Sequence, residues 1–228
     1  MAETKNFTYK EKDAGHKELF SMLIYRPISN FLLNRFFKHL NITANQISLL
    51  SLFIVIIGSG FFAFFAYPYI IFGLLFLHLG YVFDTLDGQY ARYKGLSSKF
   101  GRWFDSFVDI IKIIFIFLSL SYRAYIVENN AAVFIWGFTA LGHCFLASFA
   151  LYTKEQFIKG PSFEAKIKKG IYIGWEISLY WVITFFVLIN KLYAGLVFLA
   201  IAGALSWIKP YITFARYYKA HKDEIERD

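Results

Sequence analysis

Apolar residues run through this 228-residue chain in long blocks, with the polar positions gathered between them. The first block begins at Ile47 and reaches Phe83 without a formal charge, interrupted only by the turn-like Tyr67-Pro68-Tyr69. A bilayer core takes about 20 apolar residues per helix, so this block holds two spans. The same pattern followed along the chain predicts six: residues 47–66, 70 to the region of Asp84, 103–122, 131–153, 170–190 and 192–208. Backbone in lipid must satisfy its own hydrogen bonds, which makes such runs helices. The ~10-residue alternating segments of a membrane barrel are absent from the sequence. The expected fold is therefore an all-α integral membrane protein with six transmembrane helices.

Ahead of the first span the pattern changes. In Arg26-Pro27-Ile28-Ser29-Asn30-Phe31, continuing to Leu40, residues Ile28, Phe31, Leu32, Phe36 and Leu40 can share one helical face, while Arg35, Lys38 and His39 lie largely to the side. Pro27 suits a first helical turn. This predicts an amphipathic interfacial helix, the alternative being a cap packed against the bundle. The first eighteen residues are polar and mixed in charge, unlike a secretory signal peptide, and are expected to be poorly ordered. Three segments follow: an N-terminal cytoplasmic segment with the amphipathic helix (1–45), a six-helix membrane unit (46–216) and a cytoplasmic tail (217–228).

Composition agrees: 57% of residues are apolar and 18% charged, against about 45–50% apolar for a soluble domain. The charges orient the bundle. Seven Lys or Arg precede the first span, four lie between Arg92 and Arg102, five between Lys154 and Lys169, and five from Lys209 onward, which puts 21 of 24 on one side. The positive-inside rule makes that side, with both termini, cytoplasmic. The net charge of +8 borders spans and accompanies no nucleic-acid motif, so it fits anionic lipid headgroups rather than nucleic acid. Cys144 is the only cysteine, so no disulfide can form within the chain.

Against this background, four carboxylates stand out at one end of the second and third spans. Asp84 and Asp87 are three residues apart, Asp105 and Asp109 four, so each pair shares a helical face. The two helices are consecutive and joined by a short basic loop, hence antiparallel neighbours. Like charges converging near lipid are costly and need a positive partner. Hard oxygen ligands suit Mg²⁺, Mn²⁺ or Ca²⁺ rather than zinc. Gly88 and Gly101 leave room for a helix or ligand to approach the backbone. A single carboxylate near a helix end would more simply snorkel or pair with a lysine. A divalent-cation transporter is the alternative from another class, but a carrier site sits near the bilayer midplane beside broken helices, whereas these residues lie at one end.

The order D-x2-D-G-x2-A-R-x8-G-x3-D-x3-D, met by Asp84, Asp87, Gly88, Ala91, Arg92, Gly101, Asp105 and Asp109, resembles the signature of the CDP-alcohol phosphotransferases. The resemblance covers roughly residues 27–216. Upstream, Thr43-Ala44-Asn45 is similar to the family's T-P-N, with alanine in place of proline. The resemblance implies transfer of a phospho-alcohol group from a CDP-alcohol to a hydroxyl acceptor, with release of CMP, in phospholipid biosynthesis. It implies two divalent ions, Mg²⁺ or Mn²⁺, on Asp84, Asp87 and Asp105. Asp109 would touch one metal and act as the base. Gly88, Ala91 and Gly101 would make room for the nucleotide, with Asn45 beside it and Arg92 on the diphosphate. A plain positive-inside anchor is the other reading of Arg92.

The membrane setting points to a CDP-lipid donor, CDP-diacylglycerol or a relative. For the acceptor, Lys112 lies three residues past Asp109 on the same face, and Lys154 and Lys159 lie in a basic stretch on the cytoplasmic side. These three are candidates for binding a phosphorylated polyol such as inositol phosphate or glycerol phosphate. The alternative reading makes Lys112 a counter-charge for the carboxylates, and Lys154 and Lys159 ordinary positive-inside residues. Serine, choline or ethanolamine is the alternative acceptor. A homodimer is compatible with this reading.

Overall fold

The structure, a computed structural model, describes residues 19–157 and 175–222, with side chains described for 19–150, 178–208 and 211–222. The first eighteen residues and Lys159 lie outside the described residues. Every described element is helical. A π-helical turn, Ser21–Tyr25, leads into α1 (Arg26–Arg35) and a 3-10 turn, Phe37–His39. Then come α2 (Ala44–Phe64), α3 (Ile70–Lys94), α4 (Lys99–Glu128), α5 (Ala132–Phe157), α6 (Trp175–Leu188), α7 (Leu192–Ala202) and α8 (Ala204–Ala220).

Five stretches among the described residues are long and apolar enough to cross a membrane: Ala44–Phe64, Ile70–Lys94, Lys99–Glu128, Ala132–Ala150 and Leu192–Ala220. The last combines α7 and α8 across Gly203. The sixth expected crossing, 170–190, begins outside the described residues, and its described part, α6, has 14 residues, short of the ~20 that a crossing needs. Among the described residues, five of the six expected spans are therefore seen. The helices also overrun the apolar blocks. Hydropathy marks where lipid ends, whereas capping chemistry marks where the helix ends. Thr43 and Gln46 form a reciprocal capping box at the start of α2. Ser98 accepts from Gly101 N at 2.9 Å at the start of α4. Gly95, at φ 70°, turns the chain out of α3, a left-handed conformation that glycine adopts without steric cost. Ala44 occupies the first helical position, where proline would otherwise fit, so the capping box holds this turn without it.

Helices α2 and α3 approach most closely where side chains are missing. A Cβ at Gly80 would stand 2.4 Å from Val55 Cγ2, and one at Gly58 2.9 Å from Phe76 Cβ and 3.1 Å from the Gly73 carbonyl. Small residues permit this in lipid, where association rests on packing rather than on a hydrophobic drive. Around this pair, Phe62, Leu77, Ile116, Leu120, Ile183 and Leu196 form the buried core.

α1 has two apolar faces. Leu33 is fully buried against Ile47, Leu86 and Tyr90, while Ile28, Phe31 and Phe36 remain exposed, as does Leu40 just beyond the helix. Leu32, expected on the same face as these four, instead packs against the bundle. The packed face is the cap of one expectation, and the exposed face is what an interfacial helix needs. Above α1, Tyr25 joins a neutral polar array. Its hydroxyl lies 2.6 Å from His78 Nδ1, and His78 Nε2 lies 2.8 Å from Thr184 Oγ1. Thr184 donates its only proton to the Tyr180 carbonyl at 2.8 Å. It therefore accepts from His78 Nε2–H, and His78 Nδ1 accepts from Tyr25. This fastens the segment before α1 to α3 and α6.

Candidate active site

The turn before α2 fixes the open end of the bundle. Buried Tyr90 on α3 donates to the carbonyls of Leu40 and Ile42, both at 2.9 Å, and Lys94 Nζ donates to the Lys38 carbonyl at 3.2 Å. These bonds hold the start of α2 beside the ends of α3 and α4. Asn45 is half-buried there, with its Oδ1 only 3.8 Å from where a Gly101 Cβ would stand. Two residues expected to be neighbours from separate motifs are thus brought together.

On α3, Asp84, Gly88 and Ala91 recur at i, i+4 and i+7 along one stripe. Arg92, one turn after Gly88, lays its guanidinium over that glycine: a Cβ at Gly88 would be 3.3 Å from Nη1 and 3.5 Å from Nη2. The missing side chain makes room for the cation.

Asp84, Asp105 and Asp109 converge. One oxygen from each lies within 4.8 Å of the others, and all three residues are half-buried. Among the described residues no His or Cys joins them. Three hard oxygen donors at this spacing fit a small divalent cation. Asp87 is not brought into this group. It is 4% exposed and turned toward α2, where Ser48 Oγ donates to its Oδ2 at 2.5 Å. The same hydroxyl also lies 3.2 Å from the Ala44 carbonyl. Ser48 was missed in the sequence. Its only signal is a hydroxyl placed one turn past Ala44 at the edge of an apolar block.

Lys112 is 2% exposed and sits between two of the carboxylates. Its Nζ donates to Asp84 Oδ1 at 2.5 Å and to Asp109 Oδ1 at 2.9 Å. This is the counter-charge arrangement. Beside it lies a cavity of about 20 Å³ lined by Tyr81, Asp84, Asp109, Ile113, Leu179 and Tyr180, with the rings of Tyr81 and Tyr180 edge to face at 5.2 Å. Aromatic residues are too common in this chain for the sequence to single out these two. The backbone of Lys154 lies in the last turn of α5, and its side chain is outside the described residues, as is all of Lys159.

The CDP-alcohol phosphatidyltransferase family model matches residues 41–209. An uncharacterised protein of Aquifex aeolicus (strain VF5) is 40% identical over 86 residues, 37% of this chain and 41% of that protein. The CDP-diacylglycerol–glycerol-3-phosphate 3-phosphatidyltransferase of Treponema pallidum (strain Nichols) is 32% identical over 124 residues, 53% of this chain and 50% of the relative. The chain thus spans about half the length of the curated relatives it matches. The crystal structure of Mycobacterium tuberculosis phosphatidylinositol phosphate synthase (PgsA1) with CDP-DAG bound shares the fold, at a TM-score of 0.58 and 20% identity over 83% of this chain and 92% of that one. With the signature residues gathered at one end of the bundle and the family match covering most of its length, this chain belongs to the CDP-alcohol phosphatidyltransferase family.

Proposed function

We propose that this chain moves the phosphatidyl-type group of a CDP-lipid, CDP-diacylglycerol or a relative, onto a hydroxyl acceptor with release of CMP. The observation that carries this is the convergence of Asp84, Asp105 and Asp109 within 4.8 Å, beside an arginine laid over a glycine. In this reading Asp84 and Asp105 hold Mg²⁺ or Mn²⁺, two ions in all, with Asp87 completing the donor set from its anchor on Ser48. When bound, the ions neutralise the diphosphate and the developing charge on the leaving oxygen. Arg92 supplies a fixed positive charge to the diphosphate, and Gly88, Ala91, Gly101 and Asn45 shape the nucleotide seat. Asp109 accepts the proton of the acceptor hydroxyl. That oxygen bonds to the lipid-side phosphorus, and the bond from this phosphorus to the CMP phosphate oxygen breaks.

A phosphorylated polyol, glycerol phosphate or inositol phosphate, is the proposed acceptor. The name of the Treponema relative, which specifies glycerol-3-phosphate, supports that class, as do the basic residues Lys154 and Lys159 of the sequence. The site faces the cytoplasm in this reading, since 21 of 24 Lys and Arg border that side. The test incubates the purified chain with Mg²⁺ or Mn²⁺, CDP-diacylglycerol and one acceptor per tube, and scores CMP release. Release with a phosphorylated polyol is expected. Release with serine, choline or ethanolamine alone would replace the acceptor class. Silence with every acceptor would overturn the transferase.

A further inference from the structure

We propose that Lys112 is a resident cation that occupies the carboxylate site until a divalent ion arrives, and that it leaves Asp84 when the site is loaded. The inference rests on the metal-dependent reading above and concerns what this chain's own lysine does in it.

Lys112 is unusual among the basic residues here. Arg92 and Lys94 are exposed at the end of α3, whereas Lys112 is 2% exposed and three residues further into α4 than Asp109. A buried ammonium must be paired, and so must buried carboxylates. Each supplies the other's need: Nζ bridges Asp84 Oδ1 at 2.5 Å and Asp109 Oδ1 at 2.9 Å. This explains how a chain can place several carboxylates beside lipid and still fold before any metal is bound.

The same bridge conflicts with metal binding. A magnesium ion holds its oxygens at about 2.0–2.1 Å, in the lone-pair space of Asp84 Oδ1 that the ammonium now fills. A divalent cation and an ammonium sharing one oxygen at such range repel each other strongly in a poorly hydrated site. A metal seated on Asp84 Oδ1 therefore displaces Lys112 from it. The structure offers somewhere for it to go. The cavity of about 20 Å³ between Asp84, Asp109, Tyr81 and Tyr180 holds one water-sized group, and an ammonium is that size. Asp84 and Asp109, which both hold Nζ, line this cavity, so the ammonium stands at its edge. The shift has a chemical consequence. While Nζ donates to Asp109 Oδ1, it occupies one of that carboxylate's acceptor positions; once Lys112 turns aside, that position is open to an acceptor hydroxyl. In the metal-free chain Lys112 thus offsets part of the cluster's negative charge, and loading the site and opening that position on Asp109 become one event.

The experiment uses the full chain and Mn²⁺ alone, with no substrate. The structure of the Mn²⁺-loaded chain is solved, and Mn²⁺ affinity is titrated for the wild type and for Lys112→Met. The expected result is Nζ beyond hydrogen-bonding distance of Asp84, and an affinity tightened at least about fivefold in the variant, the low end for coupled sites. Mn²⁺ bound with Lys112 still on both Asp84 and Asp109 overturns the proposal, as does unchanged or weaker affinity in Lys112→Met. Should the variant fail to fold, the wild-type structure decides alone. A wild type that takes up no Mn²⁺ overturns the metal reading itself, an outcome distinct from metal bound beside an unmoved lysine.

Discussion

At the open end of α3, Asp84 meets Asp109 and Lys112 as ions; about two turns away along the same helix, His78 meets Tyr25 and Thr184 as a neutral group. Both clusters tie α3 to its neighbours, and both are partly or wholly buried. They differ in closure. In the neutral array every proton has a destination: Tyr25 gives to His78, His78 to Thr184, and Thr184 to the Tyr180 carbonyl. Nothing further is required of it. In the charged cluster three carboxylates face one ammonium, so negative charge is left over and a cation is invited. A closed network fastens, whereas an open one binds.

The sharpest way to break this comparison is at Asp109. Asp109→Asn keeps the shape but cannot take a proton, and general-base catalysis is typically worth about 10²–10⁴ in rate. CMP release should fall by that much with CDP-lipid binding retained, whereas Asp84→Asn should weaken both nucleotide binding and turnover. Near-normal turnover by Asp109→Asn would remove it as the base. Next comes Ser48, which touches no reacting group but holds Asp87. Partners of metal ligands are typically worth about 10–100-fold in affinity or activity, so Ser48→Ala should lower Mn²⁺ affinity within that range and Ser48→Thr should restore most of it. Equal affinity in all three would make the bond a packing detail.

Smaller effects are expected in the neutral array. Thr184→Val leaves the His78 Nε2–H without its acceptor, at a cost of about 1–3 kcal/mol, read as a lower unfolding midpoint in detergent. Tyr25→Phe removes only a donor, and side-chain hydrogen bonds within membranes average about 0.6 kcal/mol. Both variants should keep CMP release within a few-fold of wild type. If either abolished turnover without loss of stability, the array would belong to the chemistry and the contrast would fail.

These expectations also show what the chain reveals before it folds. Apolar blocks located the five spans seen among the described residues, because lipid demands long uncharged runs. The helix ends escaped that signal, because they depend on Thr43, Gln46, Ser98 and Gly95, whose information is in local hydrogen bonds and φ angles. The spacing of Asp84, Asp105 and Asp109 foretold their meeting, since helical periodicity and one short loop determine it. The turn of Asp87 toward Ser48 was not legible: which way a carboxylate rotates depends on a hydroxyl 39 residues away. For Lys112 the sequence allowed two partners, and in the structure its ammonium sits on the carboxylates of Asp84 and Asp109.

The glycine contacts between α2 and α3 bear on how the molecule can move. Where backbones interlock at Gly58, Gly73 and Gly80, one helix cannot slide past the other without collision, for Phe62 and Val55 already fill the space a Cβ would take. The pair behaves as a single rigid post carrying Asn45, Ser48, Asp84 and Asp87 in fixed register. Elsewhere α3 is joined to α1 and α6 by side chains that can rotate and hydrogen bonds that can re-form. The α1 and α6 borders of α3 are therefore cheaper to open than its glycine-packed border with α2.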